Sequence, residues 1–106
     1  MKKLVLAAVL SSLFSLPAHA QFLTGNQLFE QLSSFNTAVR GQAEWYILGV
    51  ADVAQAERRV CMAAGVSSTF LAKIIADHLR EWPEFRTYPV GPVVMSRLEL
   101  HYPCPK

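Results

Sequence analysis

The chain has 106 residues, of which 52% are hydrophobic and 17% charged, and its formal net charge at pH 7 is +2. That surplus comes from Lys2 and Lys3, so the rest of the chain carries as many acidic as basic side chains. A nucleic-acid-binding protein is expected to keep a basic surplus for phosphate contacts, and the balanced charge excludes that class. The length allows one small domain, whose core is marginal without a covalent cross-link or a second subunit.

The start of the chain has the pattern of a signal peptide. Two lysines precede an apolar run over residues 4–16, and the small residues of Ala18–Ala20 fit a signal peptidase site. The run is shorter than the roughly 20 residues that span a bilayer core, so a retained membrane anchor is the less favoured alternative. We predict cleavage after Ala20, a signal peptide over residues 1–20 and one exported helical domain over residues 21–106.

A first helix is predicted just after this segment. Thr24 is followed three residues later by Gln27, which matches a capping box at a helix start. The apolar residues that then recur at helical spacing are Leu28, Phe29, Leu32 and Phe35. We expect a break over residues 36–41.

The second predicted helix runs from about Gln42 to Arg59 and has almost no polar face, so we expect it to be the central, most buried helix. Gly49 lies in its middle, where glycine costs about 1 kcal/mol relative to alanine. Close packing of another backbone against Gly49 is the favoured explanation. Asp52 is interpreted as a partly buried, hydrogen-bonded carboxylate, and a functional acid is the alternative.

Two further helices follow a turn. The third is predicted over residues 68–81, with apolar residues on one side and charged residues on the other. Pro83 disfavours helical backbone in the residue before it, so residues 82–88 are predicted to form a loop. The fourth helix is expected to start at about Pro89 and to run through Leu98. The prolines near its start argue against a strand, and the fold class is therefore all-α.

Cys61 and Cys104 are the only cysteines. Two cysteines in an exported protein usually pair, and the chain-entropy model assigns roughly 4 kcal/mol to closing a loop of this length. A pair of free thiols is the alternative. We predict a small four-helix domain without a sheet, cross-linked by one disulfide, Cys61–Cys104.

No constellation of residues indicates catalysis. A nucleophilic Ser or Cys needs a base within hydrogen-bond reach, and His78 and His101 belong to no recognisable arrangement. A metal site needs three or four ligands of matched type, and the spacing of the histidines and carboxylates offers none. We predict a protein that is not an enzyme and takes no metal or cofactor, and we interpret His78 as a hydrogen-bonded core residue.

The predicted loop between the third and fourth helices has an unusual composition. Loops usually lie at the surface, and Trp, Tyr and Arg are enriched in binding hot spots. The candidate binding residues in this loop are Trp82, Glu84, Phe85, Arg86 and Tyr88. The alternative, which the residues alone leave open, is that these aromatic side chains fold back and seal the core.

Five ordered segments carry a resemblance to a known family: "FLTGNQLFEQ", "YILGVADV", "VCMAAGVSSTFL", "HLREWPE" and the terminal "YPC". Together they resemble the Tai/Rap immunity proteins of type VI secretion, which protect a bacterium from peptidoglycan amidase effectors. The resemblance covers residues 22–104, and the ordered set with its spacing is more specific than any one segment.

The resemblance implies a small periplasmic helical protein, commonly a homodimer, that binds an amidase effector and blocks its active-site cleft without catalysis. It also implies that the loop between the third and fourth helices enters that cleft, with the third helix of the partner subunit nearby. In this sequence that loop is Trp82 to Tyr88.

The sequence also departs from the family pattern. Many members carry two further cysteines, and the corresponding positions here are Leu32 and Ala43. The usual "HPE" reads "WPE", so that Trp82 replaces a histidine in the presumed recognition loop. Specificity is a difference of affinities set by a few side chains, and the sequence leaves the identity of the effector open.

Two other functions remain as alternatives. A periplasmic chaperone like the acid-stress protein HdeA would dissociate at low pH and bind many unfolded clients, but the few histidines and balanced charge give no strong acid switch. A catalytic role would require His78 to titrate beside Asp52 in the fold.

Overall fold

The computed structural model describes residues 22–106, and within that range the chain forms four α-helices and no strand. The helices are α1 (Gly25–Leu32), α2 (Thr37–Ala56), α3 (Ser68–Glu81) and α4 (Val90–His101), and a short 3-10 helix over Pro83–Thr87 joins α3 to α4. The prediction of an all-α fold is confirmed. The predicted signal peptide lies outside the described residues. None of the described helices is both long and apolar enough to span a bilayer.

A single apolar core holds the helices together, and within residues 22–106 it includes no buried polar or charged residue. Its members are Leu28, Ala43, Ile47, Ala51, Ala54, Val60, Leu71, Ala72, Ile74, Ile75, Leu79, Val90, Val94 and Leu98. The four helices all contribute to it, and α3 contributes the largest share. Leu32 packs against this core and Ala43 belongs to it, so the two positions at which the resemblance implies further cysteines are apolar contacts here.

Side-chain caps fix where α1 and α2 begin. The predicted capping box is present: the backbone N–H of Thr24 donates to Gln27 Oε1 at 2.9 Å, and the N–H of Gln27 donates to Thr24 Oγ1 at 3.2 Å. Asn36 Oδ1 accepts from the N–H of Ala38 at 2.9 Å and caps α2 in the same way. The predicted break over residues 36–41 is therefore wrong, since α2 begins at Thr37.

Three other details of the first two helices also differ from expectation. Helix α1 ends at Leu32, and Phe35 is fully exposed in the turn that follows. Helix α2 ends at Ala56, and Arg58 adopts a left-handed backbone with φ of 58°. Asp52 is exposed rather than partly buried.

Helix α2 is less buried than its composition suggests. Its fully buried residues lie on one narrow face, whereas Trp45 is 76% exposed and Val53 52% exposed. A Cβ built on Gly49 would meet no atom within 4 Å, so the expected close packing of another backbone against Gly49 does not occur within the chain.

The predicted disulfide joins Cys61 to Cys104 across 43 positions of sequence, with a Cα–Cα distance of 4.8 Å. The backbone N–H of Cys61 also donates to the carbonyl of Tyr102 at 2.9 Å. Nearby, Arg59 forms an ion pair with Glu99 of α4. These contacts attach the end of α4 to the α2–α3 connection and close the domain at that end.

Removing the cross-link should destabilise the domain. For Cys61→Ser we expect a loss of roughly 2–5 kcal/mol and a fall in melting temperature of about 10 °C or more, because the unfolded chain regains the freedom of a long open loop. Thermal unfolding followed by circular dichroism measures this. The wild-type protein with reductant should melt like the variant, and an unchanged melting temperature would contradict a stabilising role of the disulfide.

Candidate protein-binding site

The connection between α3 and α4 is ordered by local hydrogen bonds. The backbone N–H of Trp82 donates to the carbonyl of His78 at 3.0 Å and ends α3. Pro83 then starts the 3-10 helix, in which Thr87 Oγ1 donates to the carbonyl of Glu84 at 3.1 Å. The stretch Trp82–Tyr88, which we call the 82–88 segment, was predicted to be a loop and is a 3-10 helix with one flanking residue on each side.

The five candidate binding residues divide between two sides of the 82–88 segment. Trp82 is 49% exposed, Tyr88 is 56% exposed, and Glu84 also faces solvent. Phe85 and Arg86 are half-buried, and Phe85 packs against the core. The sequence left open whether these aromatic side chains are exposed or cover the core. Trp82 and Tyr88 are exposed, whereas Phe85 covers the core.

Arg86 attaches the segment to the helices beneath it. Its Nε–H donates to the carbonyl of Leu79 in α3 at 2.8 Å, and its guanidinium lies 4.1 Å from the ring centroid of Phe29 in α1. A guanidinium over an aromatic face is attracted by the ring quadrupole. The Arg86 side chain is thus used within the fold, where it joins the 82–88 segment to two helices at once.

Gly25 allows the start of α1 to approach this segment closely. A Cβ at Gly25 would lie 2.5 Å from Arg86 Cα and 2.5 Å from the carbonyl oxygen of Phe85, distances that no side chain tolerates. The N–H of Gly25 donates to the carbonyl of Tyr88 at 3.0 Å. The N–H of Val90 also donates to the carbonyl of Leu23 at 2.9 Å. Gly25 was not among the predicted site residues, although a glycine in the first turn of a helix is a signal of such a close approach, because glycine disfavours helix formation there.

An apolar groove of about 600 Å³ lies between the 82–88 segment and α4, and we call it the α3–α4 groove. Phe85 and Tyr88 line it on one side and Val93 and Leu100 on the other. The His78 ring forms part of the wall and stacks on Phe85, with a centroid distance of 5.2 Å. The groove is continuous with the exposed ring of Tyr88, so the segment and the groove form one surface.

Two polar atoms in the wall of the groove have no hydrogen-bond partner: His78 Nδ1 and Arg97 Nε. His78 is therefore half-buried, and its Nδ1 lacks the hydrogen bond that was predicted for it. Burial lowers the pKa of His78, the Arg97 cation lowers it further, and the carboxylates of Glu81 and Glu84 act in the opposite direction. The lowered pKa keeps the imidazole of His78 mostly unprotonated at neutral pH, and both unpartnered atoms are buried beneath the surface of the groove.

The arrangement around His78 does not match the catalytic alternative. The charged groups that act on its pKa are Arg97, Glu81 and Glu84, and Asp52 is not among them. Within residues 22–106, no group of three His, Cys, Asp or Glu side chains is placed to hold a metal ion. What the described surface offers is an apolar and aromatic binding face with a few hydrogen-bonding groups.

The chain was compared with protein-family models, curated proteins and solved structures. The chain matches the model of a family described as Rap1a immunity proteins over residues 24–104. The matched region contains the four helices, the 82–88 segment and both cysteines. Neither a curated protein nor a solved structure matches the chain.

The close approach at Gly25 leads to a prediction for its alanine variant. Gly25→Ala should destabilise the protein by about 1–3 kcal/mol, because its Cβ would collide with backbone atoms that have little freedom to move. Gly41→Ala is the matched control: a Cβ there meets nothing within 4 Å, and alanine in a helix interior should stabilise by up to about 1 kcal/mol. Chemical unfolding of both variants measures the difference, and equal stabilities would contradict the close approach.

The depressed pKa of His78 predicts a loss of stability with acid. The unfolded chain takes up a proton at about pH 6.5, before the folded protein does, so stability is lost as the pH falls from there through the lower pKa of the folded state. His78→Phe keeps a ring against Phe85 and removes the titration. We expect this variant to lose less stability than the wild type between pH 7.5 and pH 5.5 in urea unfolding.

The titration of Asp77 does not affect the comparison between the wild type and His78→Phe. A hydrogen bond from Lys73 lowers the pKa of Asp77 below its ordinary value of 3.8, so its contribution is lost only at lower pH. Equal losses for the wild type and His78→Phe between pH 7.5 and pH 5.5 would show that His78 does not titrate differently in the two states.

Proposed function

The chain belongs to the Rap1a immunity protein family, and we propose that it binds a peptidoglycan amidase effector of type VI secretion and blocks the active-site cleft of that enzyme. The family consists of immunity proteins, whose partners are secreted effector proteins. Such proteins typically act by binding and not by catalysis. The amidase as target is the finer part of the proposal, and it is supported by the resemblance of the ordered sequence segments to Tai/Rap proteins.

The observation that carries the proposal is the exposure of two aromatic side chains on an anchored segment. Trp82 and Tyr88 keep about half of their surface in contact with solvent while the backbone between them is held by Arg86 and Gly25. Large aromatic side chains supply much of the energy at protein interfaces. A segment that is already ordered loses little conformational entropy on binding, so more of that energy appears as affinity.

The candidate residues have different roles in this proposal. Trp82, Glu84 and Tyr88 contact the effector, since their side chains face solvent. Phe85 and Arg86 hold the segment in place through the core, the Phe29 ring and the carbonyl of Leu79. The α3–α4 groove extends the contact surface beyond Tyr88 and accepts an apolar side chain of the effector.

We propose further that the protein acts in the periplasm as a homodimer, after removal of residues 1–20. The signal-peptide pattern supports export, and a disulfide between the only two cysteines suits an oxidising compartment. Peptidoglycan lies in that compartment, so an amidase would meet its inhibitor there. The homodimer is supported by the resemblance to Tai/Rap proteins, which implies that the third helix of a partner subunit lies near the effector.

The exposed aromatic residues give a direct test. Trp82→Ala and Tyr88→Ala should each weaken binding to a purified peptidoglycan amidase effector by about 2 kcal/mol or more, roughly 30-fold in Kd. Isothermal titration calorimetry measures the affinity, and peptidoglycan hydrolysis measures the inhibition. Phe35→Ala is the control, because Phe35 is also an exposed aromatic residue but lies in the α1–α2 turn.

Both variants should remain folded, with melting temperatures close to that of the wild type. Unfolding of both would show that these rings belong to the core and not to a binding site. Unchanged affinity would show that the effector binds elsewhere. Recovery of many unrelated proteins in a pull-down, increasing at acid pH, would favour the chaperone function instead.

A further inference from the structure

The wall of the α3–α4 groove contains His78, whose ring is fixed by the fold. The imidazole stacks on the Phe85 ring with an angle of 25° between the two planes, and it is half-buried. Helix α3 thus supplies to this surface a side chain whose charge changes near neutral pH. The blocking of an amidase cleft does not in itself require that property.

The surroundings of His78 suit a neutral ring and not a charged one. Its Nδ1 is buried and has no hydrogen-bond partner within residues 22–106. A neutral imidazole leaves one ring nitrogen without a proton, whereas a protonated imidazole has two N–H donors that both need an acceptor. Protonation would therefore place an N–H donor in a buried position that offers it no acceptor, which costs free energy.

The charged groups that face His78 come from three parts of the fold. Arg97 of α4 is half-buried in the same wall, and its guanidinium repels a protonated imidazole. Glu81 of α3 and Glu84 of the 3-10 helix attract one, but both side chains are exposed, so water screens them. The wall also contains the Tyr88 phenol, a hydrogen-bonding group without charge at neutral pH.

An occupant of the groove changes this balance. In the proposed function, an apolar side chain of the effector enters the groove and removes water from the imidazole of His78. Loss of water disfavours the protonated ring. It also strengthens the repulsion between that ring and Arg97, because water no longer screens the two charges. Both effects make His78 hold a proton less firmly in the complex than in the free protein.

We infer that proton binding at His78 and effector binding at the α3–α4 groove oppose each other, so that acid weakens the complex. The inference rests on the proposed function, since it needs the effector to cover the groove. The coupling is reciprocal: the factor by which the effector lowers the proton affinity equals the factor by which the proton lowers the effector affinity. Affinity is therefore highest where free His78 is neutral, and it falls as the pH drops through the titration of the free protein.

Affinity measured over a range of pH tests the coupling. Between pH 7.5 and pH 5.0, the Kd of the wild type for a purified peptidoglycan amidase effector should rise at least about threefold more than the Kd of His78→Phe. Each protein is compared with its own Kd at pH 7.5, and the new ring keeps the stack on Phe85 without taking up a proton. His101→Phe is the matched control and should follow the wild type, because His101 is exposed at the end of α4 and lies outside the groove wall.

A second measurement follows the proton itself. Calorimetric titration in buffers of different ionisation enthalpy counts the protons released on binding. At pH 5.5 the wild type should release more than His78→Phe, by a fraction of one proton. Arg97→Met removes the neighbouring cation, so NMR titration of this variant without effector should show His78 titrating at a higher pH than in the wild type. An unchanged titration would overturn the part assigned to Arg97.

The outcomes separate this inference from the proposed function. Equal changes of Kd with pH for the wild type and His78→Phe would overturn the coupling and leave the effector site intact. Loss of affinity that coincides with unfolding, followed by circular dichroism at the same pH values, would assign the effect of acid to the fold and also overturn the coupling. An effector that binds at no pH would overturn the proposed function and this inference with it.

Discussion

The backbone of α1 touches the backbone of the 82–88 segment at Gly25, and the position of every proposed effector contact depends on that approach. With no Cβ in the way, the N–H of Gly25 reaches the carbonyl of Tyr88, and the Arg86 guanidinium lies over Phe29. These contacts with α1 add to the hydrogen bond from Arg86 to Leu79 of α3 and to the packing of Phe85 against the core. Together these contacts fix the backbone of the 82–88 segment, while the side chains of Trp82 and Tyr88 stay exposed.

The core and the fixed position of α4 hold the 82–88 segment and its groove in place. The apolar core places α1 against α3, and Phe85 extends that core to the segment itself. The disulfide and the Arg59–Glu99 ion pair lie at the other end of α4 and keep that helix in place as the far wall of the α3–α4 groove. A domain of this size has little stability to spare, so a covalent cross-link and a subunit interface are two physically reasonable additions to its small core.

Much of this fold follows from the sequence because local signals determine it. The Thr24–Gln27 capping box and the apolar face of α3 were predicted and are confirmed. The pairing of Cys61 with Cys104 is not local, but it was predicted because they are the only two cysteines, and it is also confirmed. The start of α2 was missed because Asn36 was read as part of a break, although asparagine is also a strong helix cap.

Which side chains of the 82–88 segment are exposed could not be predicted in the same way, since their exposure depends on contacts between distant residues. The composition of the 82–88 segment indicated a binding site, but only the fold shows that Phe85 and Arg86 face inward while Trp82 and Tyr88 do not. Gly25 could not be connected to Arg86 without knowing that α1 lies under the segment. The close packing expected at Gly49 is absent within the chain, because helix periodicity alone does not show which part of α2 faces the other helices.

Hydrogen–deuterium exchange of the protein with and without a peptidoglycan amidase effector shows directly which surface the effector covers. We expect the amidase to slow amide exchange in residues 82–88 and along the adjoining wall of the α3–α4 groove in α4. We expect little change in the α1–α2 turn around Phe35, which lies outside the proposed contact surface. Slowed exchange confined to residues outside the 82–88 segment and this groove would contradict the proposed site, because the effector would then bind a different surface.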